Sequence, residues 1–133
     1  AREVARCIDH FSGHRILAAD DLGPGRLFVA NGDAPGMDRF VEDVLGALLT
    51  GEHAAAELLR TLQCFFDCGR SIRHSATTLN VHENTVRYRL ARVHALTGLD
   101  VAADASDQLS VQMSLLVLRL RDHPALPSFE QAA

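Results

Sequence analysis

Residues Ser71 to Leu96 read SIRHSATTLNVHENTVRYRLARVHAL, and the organisation of the chain can be worked outward from them. Ser71 has the hydroxyl to cap a short helix over Ile72 to Leu79. Asn80 follows, and asparagine tolerates the left-handed conformation better than any residue but glycine, which predicts a stop there. The spacing predicts a second helix over His82 to Leu96, closed by Thr97-Gly98. Ala76 is small enough to let the two helices cross closely, and Leu79, Val81, Val86 and Leu90 supply an apolar seam between them. Two short helices joined by the tight turn Asn80-Val81-His82, the second one basic, form a helix-turn-helix pattern over 71–97.

At about 100° per residue, Val86, Leu90, Val93 and Thr97 share one face of the second helix. Asn84, Tyr88, Ala91 and Ala95 fall on the opposite face, which carries no acid. The two alanines would let the helix sit deep in a groove, where Asn84 and Tyr88 can reach base edges. Arg87 and Arg92 flank that face and can meet phosphates or a guanine. The helix start, His82 to Thr85, is expected to offer open backbone N–H groups to a phosphate. Arg89 leans toward the apolar side, where an internal acid can pair with it.

Charge supports the same segment. The chain of 133 residues has a net charge of −4, but the charge is segregated. Residues 1–69 hold 6 Arg against 11 acids, residues 70–96 hold 5 Arg against Glu83 alone, and residues 97–133 hold 2 Arg against 5 acids. One basic segment between two acidic ones points to a local anion-binding face rather than a uniformly basic coat.

Around it the chain reads as helical. Ala and Leu contribute 19 residues each against 3 Ile and 10 Val, a balance that favours helix over sheet. A hydrophobic fraction of 47% with 23% charged residues is that of a globular protein able to build a core without disulfides. Asp38 is expected to cap a helix running to about Thr50, and a further helix is expected over His53 to Cys68, with Leu58, Leu59, Leu62, Phe65 and Phe66 inward. Ser106 is expected to cap a last helix, Asp107 to Arg121, with Leu109, Met113, Leu116, Val117 and Leu120 on its main apolar face. His123-Pro124 should stop it and leave a frayed tail. The first third reads as mixed: a short helix over residues 2–11, a strand at His14 to Ala19, and a break at Asn31 to Gly36 that is the expected domain boundary. No apolar run approaches the roughly 20 residues a membrane span needs. The charged start has no leader-like apolar segment and no initiator Met, as expected of a piece of a longer protein.

Chemistry-bearing residues outside the pair give little. Cys7, Cys64 and Cys68 are too few for a disulfide framework and fit a reducing cytosol. Cys64 and Cys68 with His74 match no zinc spacing, so buried, inert thiols are expected and no metal. None of the seven histidines has an acid at triad or ligand spacing, and no phosphate loop or activated nucleophile is present, so neither an enzyme nor a cofactor is expected. The competing expectation is a helical dimerisation or protein-docking module without DNA binding, because the last helix is apolar over much of its circumference, with Leu115 and Leu118 beside the main stripe.

The run VHENTVRYRLARVHALTGLDV, residues 81–101, resembles the DNA-binding end of the PucR/CdaR family of bacterial transcription regulators. The family pattern, His-x-Asn-Thr-Val/Leu-x-Tyr-Arg-Leu followed by Thr-Gly-x-Asp, is met by His82, Asn84, Thr85, Val86, Tyr88, Arg89 and Leu90, then Thr97, Gly98 and Asp100. Upstream, Leu59-Arg60-Thr61-Leu62 and Phe40 to Leu49 resemble the helices that precede this motif in the family. Asp20-Asp21-Leu22-Gly23 with Arg26-Leu27 resembles the end of its degenerate GGDEF-like domain.

The resemblance implies residues 1–36 as the end of a GGDEF-like domain and residues 37–133 as a helical DNA-binding domain. The expected fold is mostly α, a small helical bundle containing a Fis-like helix-turn-helix and preceded by a short mixed α/β remnant. The expected partner is double-stranded DNA, bound by a cytoplasmic homodimer whose effector would bind regions upstream. The candidate DNA-contacting residues are His82, Glu83, Asn84, Thr85, Arg87, Tyr88 and Arg92, with Arg73 on the preceding helix.

Overall fold

The structure, a computed structural model, describes residues 34–129. The expected mixed remnant, and most of the break before the first helix, lie outside the described residues. Within them the chain forms five α-helices: α1 Ala34–Leu45, α2 His53–Asp67, α3 Ile72–Leu79, α4 Glu83–Thr97 and α5 Ala105–Leu120. One turn of 3-10 helix, Gly46–Leu48, follows α1. The described residues contain no strand.

The first helix begins earlier than Asp38, at Ala34. Pro35 and Gly36 read as breakers, yet proline in the first turn of a helix loses no hydrogen bond and arrives with its φ already suited. The helix therefore runs through the end of the expected Asn31–Gly36 break. Its buried side, Met37, Val41 and Leu45, packs on α5. Gly51, with φ +81, then turns the chain toward α2.

Helix α2 is the spine. Leu59 and Leu62 are fully buried, with Leu58 and Phe65 nearly so, and the helix touches α3, α4 and α5. Phe66, expected inward, is half-buried and meets the Phe65 ring edge-on, centroids 5.5 Å apart. The helix closes in a Schellman motif: Arg70 N–H donates to Phe65 O at 2.7 Å and Gly69 N–H to Phe66 O at 3.1 Å. Gly69 and Arg70 both have positive φ, and this double left-handed step reverses the chain into α3.

The last helix is rotated from its expected orientation. Its cap is Asp104, whose carboxylate accepts from Asp107 N–H at 2.9 Å, rather than Ser106. Val111, Leu115 and Leu118 are buried, and in the last turn so are Val117 and Leu120, as expected, while Leu109 is 59% exposed. The stripe that faces the core is Gln108, Val111, Leu115 and Leu118, so Leu115 and Leu118 are its centre and Leu109 lies outside it. In a helix this rich in apolar residues, periodicity fits either orientation. The deciding contact is polar: Gln108 accepts from Arg70 Nη1 at 2.9 Å and donates to Val101 O at 3.1 Å.

As far as Phe129, the last described residue, the segment after α5 is not frayed as expected. Asp122, at φ +56, ends the helix, and Ala125, Leu126 and Phe129 are buried. Arg119 lies over the Phe129 ring, 4.1 Å from its centroid, and donates from Nε to Pro127 O at 3.0 Å. Arg121 Nη1 reaches Asp38 Oδ1 at 2.7 Å and ties this end to α1.

Two outcomes check this packing. Leu59→Ala should lose about 2–5 kcal/mol in urea unfolding, as expected of a large buried side chain, whereas Leu109→Ser should stay within about 0.5 kcal/mol. His123 gives a pH test, because burial holds its imidazole below the ordinary range and its Nδ1 accepts from Ala125 N–H at 3.1 Å. The unfolded chain then binds the proton more readily, so this contribution is present above the ordinary imidazole range and is lost as pH falls through it. The thermal midpoint of His123→Gln should accordingly depend less on pH in that interval than that of the parent chain.

Candidate nucleic-acid interface

The joint between α3 and α4 is built from local hydrogen bonds. Ser71 Oγ accepts from His74 N–H at 3.0 Å and caps α3. Asn80 takes the left-handed conformation, φ 56 and ψ 48, and Val81 N–H donates to Ala76 O at 3.0 Å. Ala76 is 4% exposed at the crossing, as its size led us to expect. His82 then starts α4: its backbone is extended and its Nδ1 accepts from Asn84 N–H at 3.0 Å. Histidine is an unusual cap, and it can act as one only while that nitrogen is unprotonated.

Fewer amides are open at this helix start than the sequence led us to expect. Asn84 N–H is taken by His82 Nδ1, and Thr85 N–H donates to His82 O at 2.9 Å. The orientation of α4 agrees with its periodicity. Val86 and Val93 are fully buried and Leu90 is 6% exposed, while Asn84, Tyr88, Ala91 and Ala95 are exposed. Tyr88, at 68%, is the most exposed large hydrophobic side chain among the described residues.

The arginines separate into two groups. Arg89 faces inward, where its Nη1 donates to Thr61 Oγ1 at 3.2 Å and lies 3.5 Å from Glu57 Oε2. Thr61 is fully buried and its hydroxyl donates a hydrogen bond to Glu57 O at 2.8 Å, so Arg89 anchors α4 to α2. Arg87, Arg92 and Arg73 are exposed. Arg87 is held along its own helix, with Nη1 donating to Asn84 Oδ1 at 3.1 Å and Nη2 lying 3.6 Å from Glu83 Oε2. Glu83, Asn84 and Arg87 thus form one polar group on the first turns of α4, beside Tyr88. Arg73 and Arg92 have no acidic partner among the described residues.

The far end of α4 is equally defined. Thr97 Oγ1 donates to Val93 O at 2.7 Å and accepts from Leu99 N–H at 3.2 Å, with Gly98 left-handed between them. Asp100 Oδ1 accepts from Ala102 and Ala103 N–H at 3.2 and 3.1 Å, which gives the Thr-Gly-x-Asp pattern its physical sense as a turn. The sequence did not reveal the capping role of His82, because an imidazole at that position leaves no pattern separable from a ligand-contacting one. Among the described residues, no group of three or more His, Cys, Asp or Glu could hold a metal ion.

Removing the cap should be measurable by itself. His82→Ala should lower stability by about 1 kcal/mol and His82→Asp should restore it, read from urea unfolding with amide exchange at residues 83–86 as the local reporter. Equal stability of the three chains would show that the imidazole does not cap α4.

Comparison with known proteins agrees with this geometry. Residues 58–117 match the PucR C-terminal helix-turn-helix domain. An uncharacterised protein of Mycobacterium tuberculosis, Rv2242, is 40% identical over 86 residues, covering 65% of this chain and 20% of that protein. The transcriptional activator PmfR of Paenarthrobacter nicotinovorans is 35% identical over 65 residues, 49% of this chain and 14% of that protein. The crystal structure of a regulator of polyketide synthase expression from Bifidobacterium adolescentis superposes with a TM-score of 0.56 at 33% identity, over 82% of this chain and 43% of that one. The chain spans about a fifth of the length of the mycobacterial relative. The motif at 82–100, the two-helix joint and the five-helix frame all agree with the match of residues 58–117 to the PucR C-terminal helix-turn-helix domain.

Proposed function

We propose that this domain binds double-stranded DNA sequence-specifically, as the C-terminal part of a bacterial transcriptional regulator, with α4 in the major groove. The observation that carries this is the face of α4 opposite Val86, Leu90 and Val93. It is exposed, has small residues at Ala91 and Ala95, and is bordered by Arg87 and Arg92. A helix with alanines at its centre can approach base edges closely, and flanking guanidinium groups can meet the backbone on either side. Arg73, exposed on α3, extends the positive charge toward the neighbouring phosphates.

In this reading Asn84 and Tyr88 read bases. Glu83 sets the direction of Arg87, which reaches a guanine edge or a phosphate. His82 and Thr85 fix the start of the helix against the backbone, and Arg92 contacts phosphate. The domain has no catalytic part in this role. The intact regulator acts in the cytoplasm as a homodimer, because a two-fold operator is read by two such helices about 34 Å apart, and its effector binds regions upstream. The names of PmfR and of the Bifidobacterium protein as regulators support this assignment.

Binding to specific and scrambled duplexes across a salt series tests it. The parent chain should lose affinity steeply with salt, whereas a pure docking module should ignore both DNA and salt. Asn84→Ala should weaken the specific site by about 1–3 kcal/mol and relax preference, while Arg92→Ala should weaken all duplexes alike and reduce the salt slope by about one. Identical behaviour of these two variants, or no effect from either, would overturn the assignment of the groove-facing side.

A further inference from the structure

The cysteines at the C-terminal end of α2, Cys64 in its last turn and Cys68 at its cap, are a close nucleophilic pair that the proposed DNA-facing surface does not use. Cys64 Sγ and Cys68 Sγ lie 3.8 Å apart. Cys64 is buried, with its Sγ 3.9 Å from Ser75 O, and Cys68 is half-buried, with its Sγ 3.6 Å from Thr78 Oγ1. Both neighbours belong to α3, so the two thiols sit in the seam between α2 and the first helix of the helix-turn-helix.

Their surroundings order their reactivity. Burial first, and then the hydrogen bond and charge of Cys68, push the Cys64 thiol up to about 11, so it stays protonated. Cys68 lies on the open side of the pair and is the sulfur a solute meets first. Closure also has a mechanical consequence. Cβ atoms one helical turn apart are about 5–6 Å from each other, whereas a disulfide holds them at about 3.5–4.5 Å. Joining the sulfurs must therefore draw Cys68 toward Cys64 and distort the turn in which Cys68 N–H donates to Cys64 O at 2.9 Å and Arg70 N–H to Phe65 O at 2.7 Å. Cys68 is the cap residue, followed at once by left-handed Gly69 and Arg70 and by the start of α3 at Ile72.

We propose that Cys64 and Cys68 form a peroxide-responsive dithiol whose closure to a disulfide loosens the joint through which α2 holds the helix-turn-helix. Cys68, as thiolate, attacks one oxygen of hydrogen peroxide. The O–O bond breaks, Cys68 becomes a sulfenic acid, and the departing hydroxide takes up the proton that the thiol released. Cys64 sulfur then attacks the sulfenic sulfur. The S–S bond forms as the S–O bond breaks, and hydroxide leaves with the Cys64 proton as water. Two thiols and one peroxide give one disulfide and two waters, and an added dithiol reverses the closure.

The test uses the whole chain with Cys7→Ser, which removes the third cysteine. After hydrogen peroxide, the peptide spanning both cysteines should be lighter by two hydrogen atoms. The amides of Cys68, Gly69 and Arg70 should exchange about tenfold faster, and dithiothreitol should restore both readouts. Cys64→Ala on the same background should instead accumulate the Cys68 sulfenic acid, trapped as a dimedone adduct. Oxidation of Cys68 to a sulfinic acid without a disulfide would overturn the proposal, and so would a disulfide that left exchange at 68–70 unchanged.

Discussion

Helix α4 is seated by one narrow line of side chains, Val86, Leu90 and Val93, pressed into the groove between α2 and α3. Three aliphatic residues fix which way a fifteen-residue helix faces, and everything on the opposite side is left to solvent. Burial of that line contributes stability roughly in proportion to the apolar area removed from water, but burial is non-directional and does not set rotation finely. The finer constraint is Arg89. Its contact with Thr61 and Glu57 crosses from α4 to α2 and would be broken by a rotation of α4 in either direction.

The ends of α4 complete that constraint. At the start, Asn80 accepts a left-handed turn without a glycine, and His82 takes the amide of Asn84 in the first turn of the new helix. At the finish, Thr97, Gly98 and Asp100 fold the chain back through a tight turn toward α5. Arg70, Gln108 and Val101 then form a short polar chain linking the entry to α3, the start of α5 and the turn after α4. The helix-turn-helix is therefore packed on α2 before it and tied to α5 after it by hydrogen bonds of the residues that flank it. An exposed surface on so short a helix pair can hold its shape because it lies on a rigid frame rather than on a loop.

Much of this was legible in the sequence because α3 and α4 are locally determined. Ser71 and Asn80 are residues with strong positional meaning, and the apolar positions of α4 are few enough that one face alone satisfies them. Arg89 could be placed inward from its angular position alone. Helix α5 was placed only in part, with Val117 and Leu120 buried as expected but Leu109 exposed, for the opposite reason. With apolar residues on nearly every side, its period carries little information, and its rotation is set by Gln108 and by its packing on α1. The segment beyond it was misjudged because its turn residues, His123-Pro124, end a helix whether or not the chain afterwards docks. What buries Ala125, Leu126 and Phe129 is a non-local surface that no local pattern announces. His82 was selected for its place beside the candidate face, and only the geometry separates its capping role from contact with a ligand.

A backbone amide NMR titration of the domain with its operator duplex would test the central claim most directly, because it reports every residue at once without altering any. The largest shifts should fall on residues 82–88, Ala91, Arg92 and Ala95, with a smaller set around Arg73, while Leu109, Met113 and Leu116 on α5 should not respond. Shifts concentrated on α5 with α4 unaffected would contradict that claim and make the exposed side of the last helix the working surface.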